Sequence, residues 1–318
     1  MDRVRLCAKS PADTCPTQKR RCAATMLVWR GWCVSRLRCQ LGTTLCRGCT
    51  QGMPYKLIAL DLDGTVLRED LTMSARVRRA LRLAAERGVQ LTLASGRGYP
   101  SMRRWAEELR ITVPVICYQG AVVTDPLTHR CLRQRTFPLA LIQELADLAR
   151  RHDLTLTLYA DDQVYVEDKQ YSDDFYEKWF GLPCHVVDDL ALALPTEPFK
   201  CIYIATEAEL DRLRPEFERK FAGRLRVVRS HRFFLEGLPL GVDKGTALAW
   251  VAERLGISRE ATMAIGDSGN DVGMIAWAGL GVAMGNASAE AKSVADYVAP
   301  SVDDDGLAEA IERFCLKD

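Results

Sequence analysis

Nowhere in these 318 residues does an apolar run approach the ~18 uninterrupted residues of a spanning helix, so an integral membrane protein is not expected. Surplus charge is missing as well. The 43 basic and 42 acidic side chains leave a formal net charge of +1, and with it no global pull toward nucleic acid. There is no GxxxxGK[ST] phosphate loop. The nearest approach to GxGxxG is GxGxxxG at Gly279–Gly285, which lacks the following helix and reads as a strand and turn. A nucleotide cradle of either common kind is thereby excluded.

A disulfide framework is absent too, although there are twelve cysteines. Seven of them (Cys7, Cys15, Cys22, Cys33, Cys39, Cys46 and Cys49) crowd into residues 1–52. Cys46-Arg47-Gly48-Cys49 is a lone CxxC with no second knuckle and no histidine in the segment, so a zinc site is not expected. The other five, Cys117, Cys131, Cys184, Cys201 and Cys315, are scattered. They read as small buried hydrophobes in a reducing cytosol.

Residues 1–52 carry ten Lys/Arg against Asp2 and Asp13, a surplus of eight positive charges, while the remainder holds 33 basic and 40 acidic side chains. No 2.0 or 3.6 apolar period is sustained there. Arg30, Arg36 and Arg38 interrupt every apolar stretch, against a secretory signal; the Arg-rich, acid-poor balance fits a mitochondrial transit segment better, but serine is scarce. Nor do Trp29 and Trp32 share a coherent helical face that would make the segment a nucleic-acid or membrane surface. The expectation is a disordered extension, or sequence upstream of a start at Met53.

Pattern begins abruptly at Met53. Lys56–Leu62 is a near-continuous apolar run ended by a glycine turn, as a buried parallel strand requires. Val77, Ala80, Leu81 and Ala84 then follow helical spacing, with Ser74 as N-cap and Gly88 beyond the end. A strand at Val89–Ala94, a helix at Ser101–Leu109 and a strand at Val113–Cys117 continue the alternation, which resumes with helix Thr246–Leu255, strand Ala261–Ile265, helix Val272–Ala278 and strand Gly279–Ala283. Alternating β and α elements predict a doubly wound parallel sheet. Between these halves the order changes to helix 139–151, strands 154–159, 164–167 and 200–205, helix 207–221, and strands 225–229 and 232–235. The fold class expected is α/β, with a core of residues 53–136 and 237–318 and an inserted α+β cap of residues 137–236.

Ligands of open parallel sheets bind beyond the carboxyl ends of the strands, and four polar clusters fall at such ends. In Asp61-Leu62-Asp63-Gly64-Thr65 one carboxylate can attack while the other handles a proton. An EF-hand is excluded because Gly64 comes too early and Thr72 occupies the position of the bidentate Glu. Ser95-Gly96-Arg97 offers a hydroxyl, backbone N–H groups and a guanidinium, the donors that a phosphate needs. In Gly241-Val242-Asp243-Lys244-Gly245-Thr246 a lysine at a helix start opposes the macrodipole unless an anion lies near it. Gly266-Asp267-Ser268-Gly269-Asn270-Asp271 packs the oxygen donors that suit Mg²⁺.

The order DLDGT, SGR, KG, GDSGND resembles the haloacid dehalogenase superfamily, in particular its Cof-type phosphatase branch, from about Pro54 to the C-terminus. The resemblance implies Asp61 as the nucleophile that becomes aspartyl-phosphate and Asp63 as the acid and then base. It implies Ser95 and Lys244 on the transferring phosphoryl group, and a Mg²⁺ held by Asp61, Asp63 (through its carbonyl), Asp267 and Asp271. Thr65, Gly96, Arg97, Gln119, Gly120, Asn270 and Asn286 would contact phosphate or substrate, with Asn270 and Asp271 also orienting Lys244 and metal-bound water. Where the family usually has Asn-Gly this chain has Gln119-Gly120, a longer arm bearing the same amide. Asp63 argues for hydrolysis or a mutase reaction, since the related cation-pump ATPases have Thr there.

The function implied is a cytoplasmic Mg²⁺-dependent phosphatase for small phosphorylated metabolites such as a sugar phosphate or phosphorylated cofactor. A phosphotransferase or mutase, and a non-catalytic phosphometabolite sensor, are the alternatives. No nucleic-acid or membrane partner is expected for the core, and no pattern specifies an oligomer. In the cap, Tyr159, Asp161-Asp162, Tyr165 and Trp179 are candidates to line a substrate pocket or merely to cover its surface.

Overall fold

The computed structural model describes residues 55–317, so the expectations for residues 1–52 lie outside the described residues. The first part of the chain runs β1 (Leu57–Leu60), α1 (Ala75–Glu86), β2 (Gln90–Leu93), α2 (Tyr99–Glu108), β3 (Val115–Cys117), β4 (Val122–Thr124) and β5 (Cys131–Gln134). Next come α3 (Ile142–His152), β6 (Thr155–Ala160), β7 (Gln163–Val166), α4 (Asp173–Phe180), β8 (Cys184–Val186), α5 (Leu190–Ala193), β9 (Lys200–Ile204), α6 (Glu207–Lys220), β10 (Leu225–His231) and β11 (Phe234–Pro239). The return is α7 (Lys244–Leu255), β12 (Thr262–Gly266), α8 (Val272–Trp277), β13 (Leu280–Ala283), α9 (Ala289–Val294), β14 (Tyr297–Val298) and α10 (Gly306–Ile311).

Five strands form a parallel sheet in the order β14-β13-β12-β1-β2. Every residue of β1, β12 and β13 is buried, which is why these strands read as unbroken apolar runs rather than alternating ones. The helix predicted after β1 forms as its spacing implies. Ser74 accepts from the Val77 amide at 3.1 Å, and Val77, Ala80, Leu81 and Ala84 are its buried stripe. No helix of the described residues is long and apolar enough to cross a membrane.

The third predicted strand departs from expectation. β3 touches the parallel sheet through a single bridge, Ala94 to Ile116, with the Ser95 amide donating to the Ile116 carbonyl at 2.9 Å. It then pairs antiparallel with β4, and β4 with β5, in a small sheet that periodicity did not reveal. Three consecutive positive φ angles, Tyr118 (49°), Gln119 (59°) and Gly120 (98°), reverse the chain directly after β3. β5 is an edge strand, and Cys131 at its start is exposed; Cys184 is only partly buried, so two of the five cysteines expected inside are not there.

The inserted cap sheet has the order β10-β11-β9-β6-β7-β8, antiparallel except for β7 with β8. Its strands alternate with period 2. Cys201, Tyr203 and Leu235 pack with Leu145 of α3 and with Leu213 and Phe217 of α6. Ile202, Ile204 and Phe234 pack instead into the cluster that contains β1 and β12. One face of this sheet is therefore sealed by helices and the other is turned toward the parallel sheet.

At Gly120 a Cβ would fall 2.4 Å from the Asp243 carbonyl oxygen. With φ at 98° as well, Gly120→Ala is expected to lose more than ~1 kcal/mol of stability. Equilibrium denaturation checks this, and an unchanged midpoint would show that the loop relaxes without loss.

Candidate active site

The parallel sheet delivers two acidic loops side by side. The Asp61 amide donates to the Ile265 carbonyl at 2.9 Å, which carries the pairing of β1 with β12 one residue past the strand end. Gly64 (φ 79°) then turns the chain tightly against Asp267, whose carboxylate would lie 2.5 Å from any Cβ there. Lys244, the first residue of α7, enters between the two loops. Its Nζ donates to Asp61 Oδ1 and to Asp271 Oδ1, each at 2.6 Å, and is 1% exposed. Two anions at this distance remove the objection to a lysine at a helix start.

Asp271 is fully buried and fully engaged. Its second oxygen accepts from the Asp267 amide (3.1 Å), the Ser268 amide (3.0 Å) and the Ser268 hydroxyl (3.2 Å). One carboxylate oxygen each from Asp61, Asp267 and Asp271 lie within 4.8 Å of one another. Three carboxylates around one ammonium leave two negative charges uncompensated if all are ionised. The electrostatics register this. Burial, followed by the Asp271 charge, pushes Asp61 up to about 7 against the opposing pull of Lys244. Burial with Asp61 and Asp271 raises Asp267 well above the usual carboxylate range. For Lys244, burial favours the neutral amine, but Asp271 and Asp61 outweigh it and raise the pKa.

Asp267 Oδ1 is buried without a hydrogen-bond partner. An orphaned acceptor beside two further carboxylates is a hard oxygen set with a charge deficit of two, which fits a divalent cation. The Asp63 side chain is not part of this cluster; in the expected set it enters only through its carbonyl.

The remaining predicted residues gather at the same sheet end with several changes of partner. Ser95 is buried, and its Oγ accepts from the Arg97 amide at 3.1 Å. Arg97 forks onto Asp63, Nε to Oδ2 and Nη2 to Oδ1, both at 2.7 Å, so an acidic side chain occupies the guanidinium expected for a phosphate. Asn270 takes Gln119 and Ser268 as partners. It donates to Gln119 Oε1 at 2.9 Å and accepts from the Ser268 hydroxyl, a bridge that the longer Gln arm makes possible. Asn286 donates to the Gly64 carbonyl at 2.9 Å and accepts from the Val302 amide at 2.9 Å, fastening the first acidic loop to the late loop. Asp61, Asp63, Ser95, Gly96, Arg97, Gln119, Asn270 and Asn286 line one cleft of about 870 Å³ together with Asp267. Thr65 and Gly120 are not among its lining residues.

The cap supplies the rest of the lining. Tyr159 and Trp179 do face the cleft; Asp161, Asp162 and Tyr165 do not. Asp162 accepts from the Tyr118 hydroxyl at 2.6 Å, and Tyr165 stacks on His185 with ring centroids 5.3 Å apart. Lys200 and Glu236 escaped the sequence reading altogether. Both are buried in the cleft wall, 3.7 Å apart, and Lys200 Nζ donates to the Gly96 carbonyl at 3.0 Å. The available signal was a charge at a cleft-side position of an otherwise apolar strand, in KCIYI and FLEGLP.

This arrangement, a carboxylate-bearing strand end opposite a Lys and a second acidic loop with an inserted sheet turned toward them, is that of a haloacid dehalogenase-like hydrolase. The chain belongs to that family, whose match runs from residue 58 to 311. It is 32% identical over 266 residues to the 5-amino-6-(5-phospho-D-ribitylamino)uracil phosphatase YcsE of Bacillus subtilis, covering 84% of this chain and 98% of that one. Against YitU, a phosphatase of the same name from that organism, identity is 27% over 271 residues, covering 82% and 97%. A haloacid dehalogenase-like hydrolase of Bacteroides thetaiotaomicron has the same architecture, with a TM-score of 0.73 and 33% identity over 81% of this chain and 99% of that one. The protein is a phosphatase, a hydrolase of phosphoric monoesters.

The carboxylate cluster predicts an inverted pH response in protein stripped of metal. Folded Asp61 keeps its proton up to about 7, whereas the unfolded side chain releases it near 3.8. Across that window the unfolded state binds fewer protons, so this group's contribution to stability falls as pH rises. Urea melts at stepped pH should show the fall in wild type, less of it in Asp61→Asn, and its suppression by a divalent cation. Equal slopes for the two proteins would contradict the description of the cluster.

Proposed function

We propose that this phosphatase hydrolyses small phosphorylated metabolites through an aspartyl-phosphate on Asp61, with Mg²⁺ held by Asp61, Asp267 and the Asp63 carbonyl and with Asp271 behind them. The observation that carries the reading is the cluster itself. Asp61 and Asp267 open onto the cleft, while Lys244 and Asp271 back them from within the protein. The relatives named for a phosphorylated ribitylaminouracil support a small-metabolite substrate. We take residues 137–236 as the cap and 53–136 with 237–318 as the core, working in a reducing cytoplasm.

The Asp61 carboxylate attacks phosphorus in line, and the bond from phosphorus to the ester oxygen breaks. Asp63 gives that oxygen its proton, and the alcohol leaves. Asp63, now a carboxylate, takes a proton from water as the water oxygen bonds to phosphorus. The bond to Asp61 then breaks and inorganic phosphate is released. Phosphoryl transfer requires positioning and charge neutralisation above all. The Ser95 hydroxyl and the Lys244 ammonium contribute both, and Mg²⁺ adds charge neutralisation when bound. Because Arg97 engages both oxygens of Asp63, the fork must open before Asp63 carries a proton, and the arriving phosphate is the natural competitor for the guanidinium.

Phosphate release from a panel of phosphorylated metabolites, measured with and without Mg²⁺, tests the proposal. Asp61→Asn should lose roughly 10⁴-fold or more in kcat, as nucleophile knockouts do. Asp63→Asn should lose ~10²–10⁴-fold. A folded protein that releases no phosphate, or that delivers it to a second hydroxyl, would displace hydrolysis as the reaction.

A further inference from the structure

The turn after β3 holds a backbone that its residue types do not favour. Gln119 sits at φ 59° and ψ 20°, and Tyr118 before it at φ 49°. Glycine adopts left-handed backbone readily, and asparagine does so through short-range hydrogen bonds of its side chain; glutamine has neither advantage. Strained residues of this kind persist where their surroundings over-determine them, and they gather at active sites.

Here the surroundings act on three sides. The Tyr118 amide donates to the Arg97 carbonyl and the Gln119 amide to the Ser95 carbonyl, each at 3.0 Å, which clamps the turn to the Ser95–Arg97 loop. The Tyr118 hydroxyl donates to Asp162, between β6 and β7, at 2.6 Å. The Gln119 side chain, 2% exposed, makes the third contact. Its Nε2 lies 2.6 Å from where a Cβ on residue 96 would stand, so the glycine there admits the arm. Its Oε1 accepts from Asn270 Nδ2 at 2.9 Å, across 151 residues of chain. Asn270 accepts from the Ser268 hydroxyl, which also donates to Asp271 Oδ2 at 3.2 Å, and Asp271 Oδ1 holds Lys244 at 2.6 Å. Gly269, beside Asn270, is exposed, and beyond its chain neighbours no described residue comes within 4 Å of its Cβ position. The acidic loop is thus not braced from outside at that point.

We propose that Gln119 is a positioning residue, whose amide ties the Ser95–Arg97 loop to the Ser268–Asp271 loop through Asn270. An asparagine at 119 would relieve the backbone but stop one methylene short of Asn270, so the strained turn is retained for its reach. The two loops carry the Ser95 hydroxyl and the Asp271 carboxylate to one site, and phosphoryl transfer depends on how closely such groups are placed. The effect on turnover rests on the phosphatase mechanism above; the bridge itself does not. Direct contact of Gln119 with the substrate is the competing role.

The test compares the full chain as wild type, Gln119→Asn, Asn270→Ala and the double variant. Hydrogen exchange of the peptide spanning residues 266–271, followed by mass spectrometry, reads the loop directly. Gln119→Asn should speed that exchange by ~tenfold or more. Its urea midpoint should nonetheless equal or exceed that of wild type, because asparagine suits the backbone. With Mg²⁺, kcat/KM for acetyl phosphate and for glucose 6-phosphate should fall by ~tenfold in each single variant and no further in the double variant. Loss confined to one ester would put Gln119 on the leaving group. Losses that multiply in the double variant would put it on the phosphoryl group independently of Asn270. Either result overturns the proposal, as does unchanged exchange or unchanged turnover in Gln119→Asn. If that variant melts early, Gln119→Gly, which meets the backbone without an arm, takes its place with the same expectations for exchange and turnover. If wild type hydrolyses neither ester, the phosphatase mechanism fails separately, and the exchange comparison alone decides the bridge.

Discussion

The ammonium of Lys244, held at 2.6 Å from both Asp61 and Asp271, is the contact on which the site depends. Its three residues are far apart in the chain, 183 residues separating Lys244 from Asp61 and 27 separating it from Asp271. Buried carboxylates of one sign repel and resist desolvation. A single buried cation between them makes their proximity tolerable while leaving a deficit that a divalent ion can fill. The same contact fixes where α7 begins. It thereby draws the segment leaving the cap back onto the strand ends of the parallel sheet. Asp243 reinforces that position by capping the helix, its side chain and that of Thr246 forming a reciprocal box.

A second constraint is the two-faced cap sheet. Alternation along β9 and β11 sends one set of side chains under α3 and α6 and the other toward the parallel sheet. One of the contacts that join this sheet to the cleft floor is that of Lys200 on β9 with the carbonyl of Gly96 in the loop after β2. A buried lysine is unfavourable unless its donors are used. Here a backbone oxygen of the core and a carboxylate of the cap share it, so this side chain couples the position of the cap to the shape of the loop after β2.

Much of this was legible before any coordinates. Parallel strands buried on both faces announce themselves as apolar runs, and the spacing of Val77, Ala80, Leu81 and Ala84 requires a helix whatever it packs against. The site residues themselves were legible because glycine turns and paired acids after such runs are rare in ordinary loops. Less legible were short elements lacking a period. The β4–β5 ribbon follows three residues at positive φ, two of them not glycine, and no local composition signals that reversal. α4 was missed because its aromatic residues lie on several sides, part packed within the cap and part facing the cleft.

The sequence alone determined the order of elements, the strand ends at which chemistry gathers and the residue types brought there, because each depends on patterns a few residues long. The tertiary structure alone decided which partner each polar group takes. Arg97 meets Asp63 rather than an open phosphate site, Asn270 meets Gln119, and Lys200 and Glu236 turn into the cleft. Such pairings depend on distances between segments tens to hundreds of residues apart and on how much water burial removes. Both quantities come into being only when the sheet, its loops and the cap have packed together.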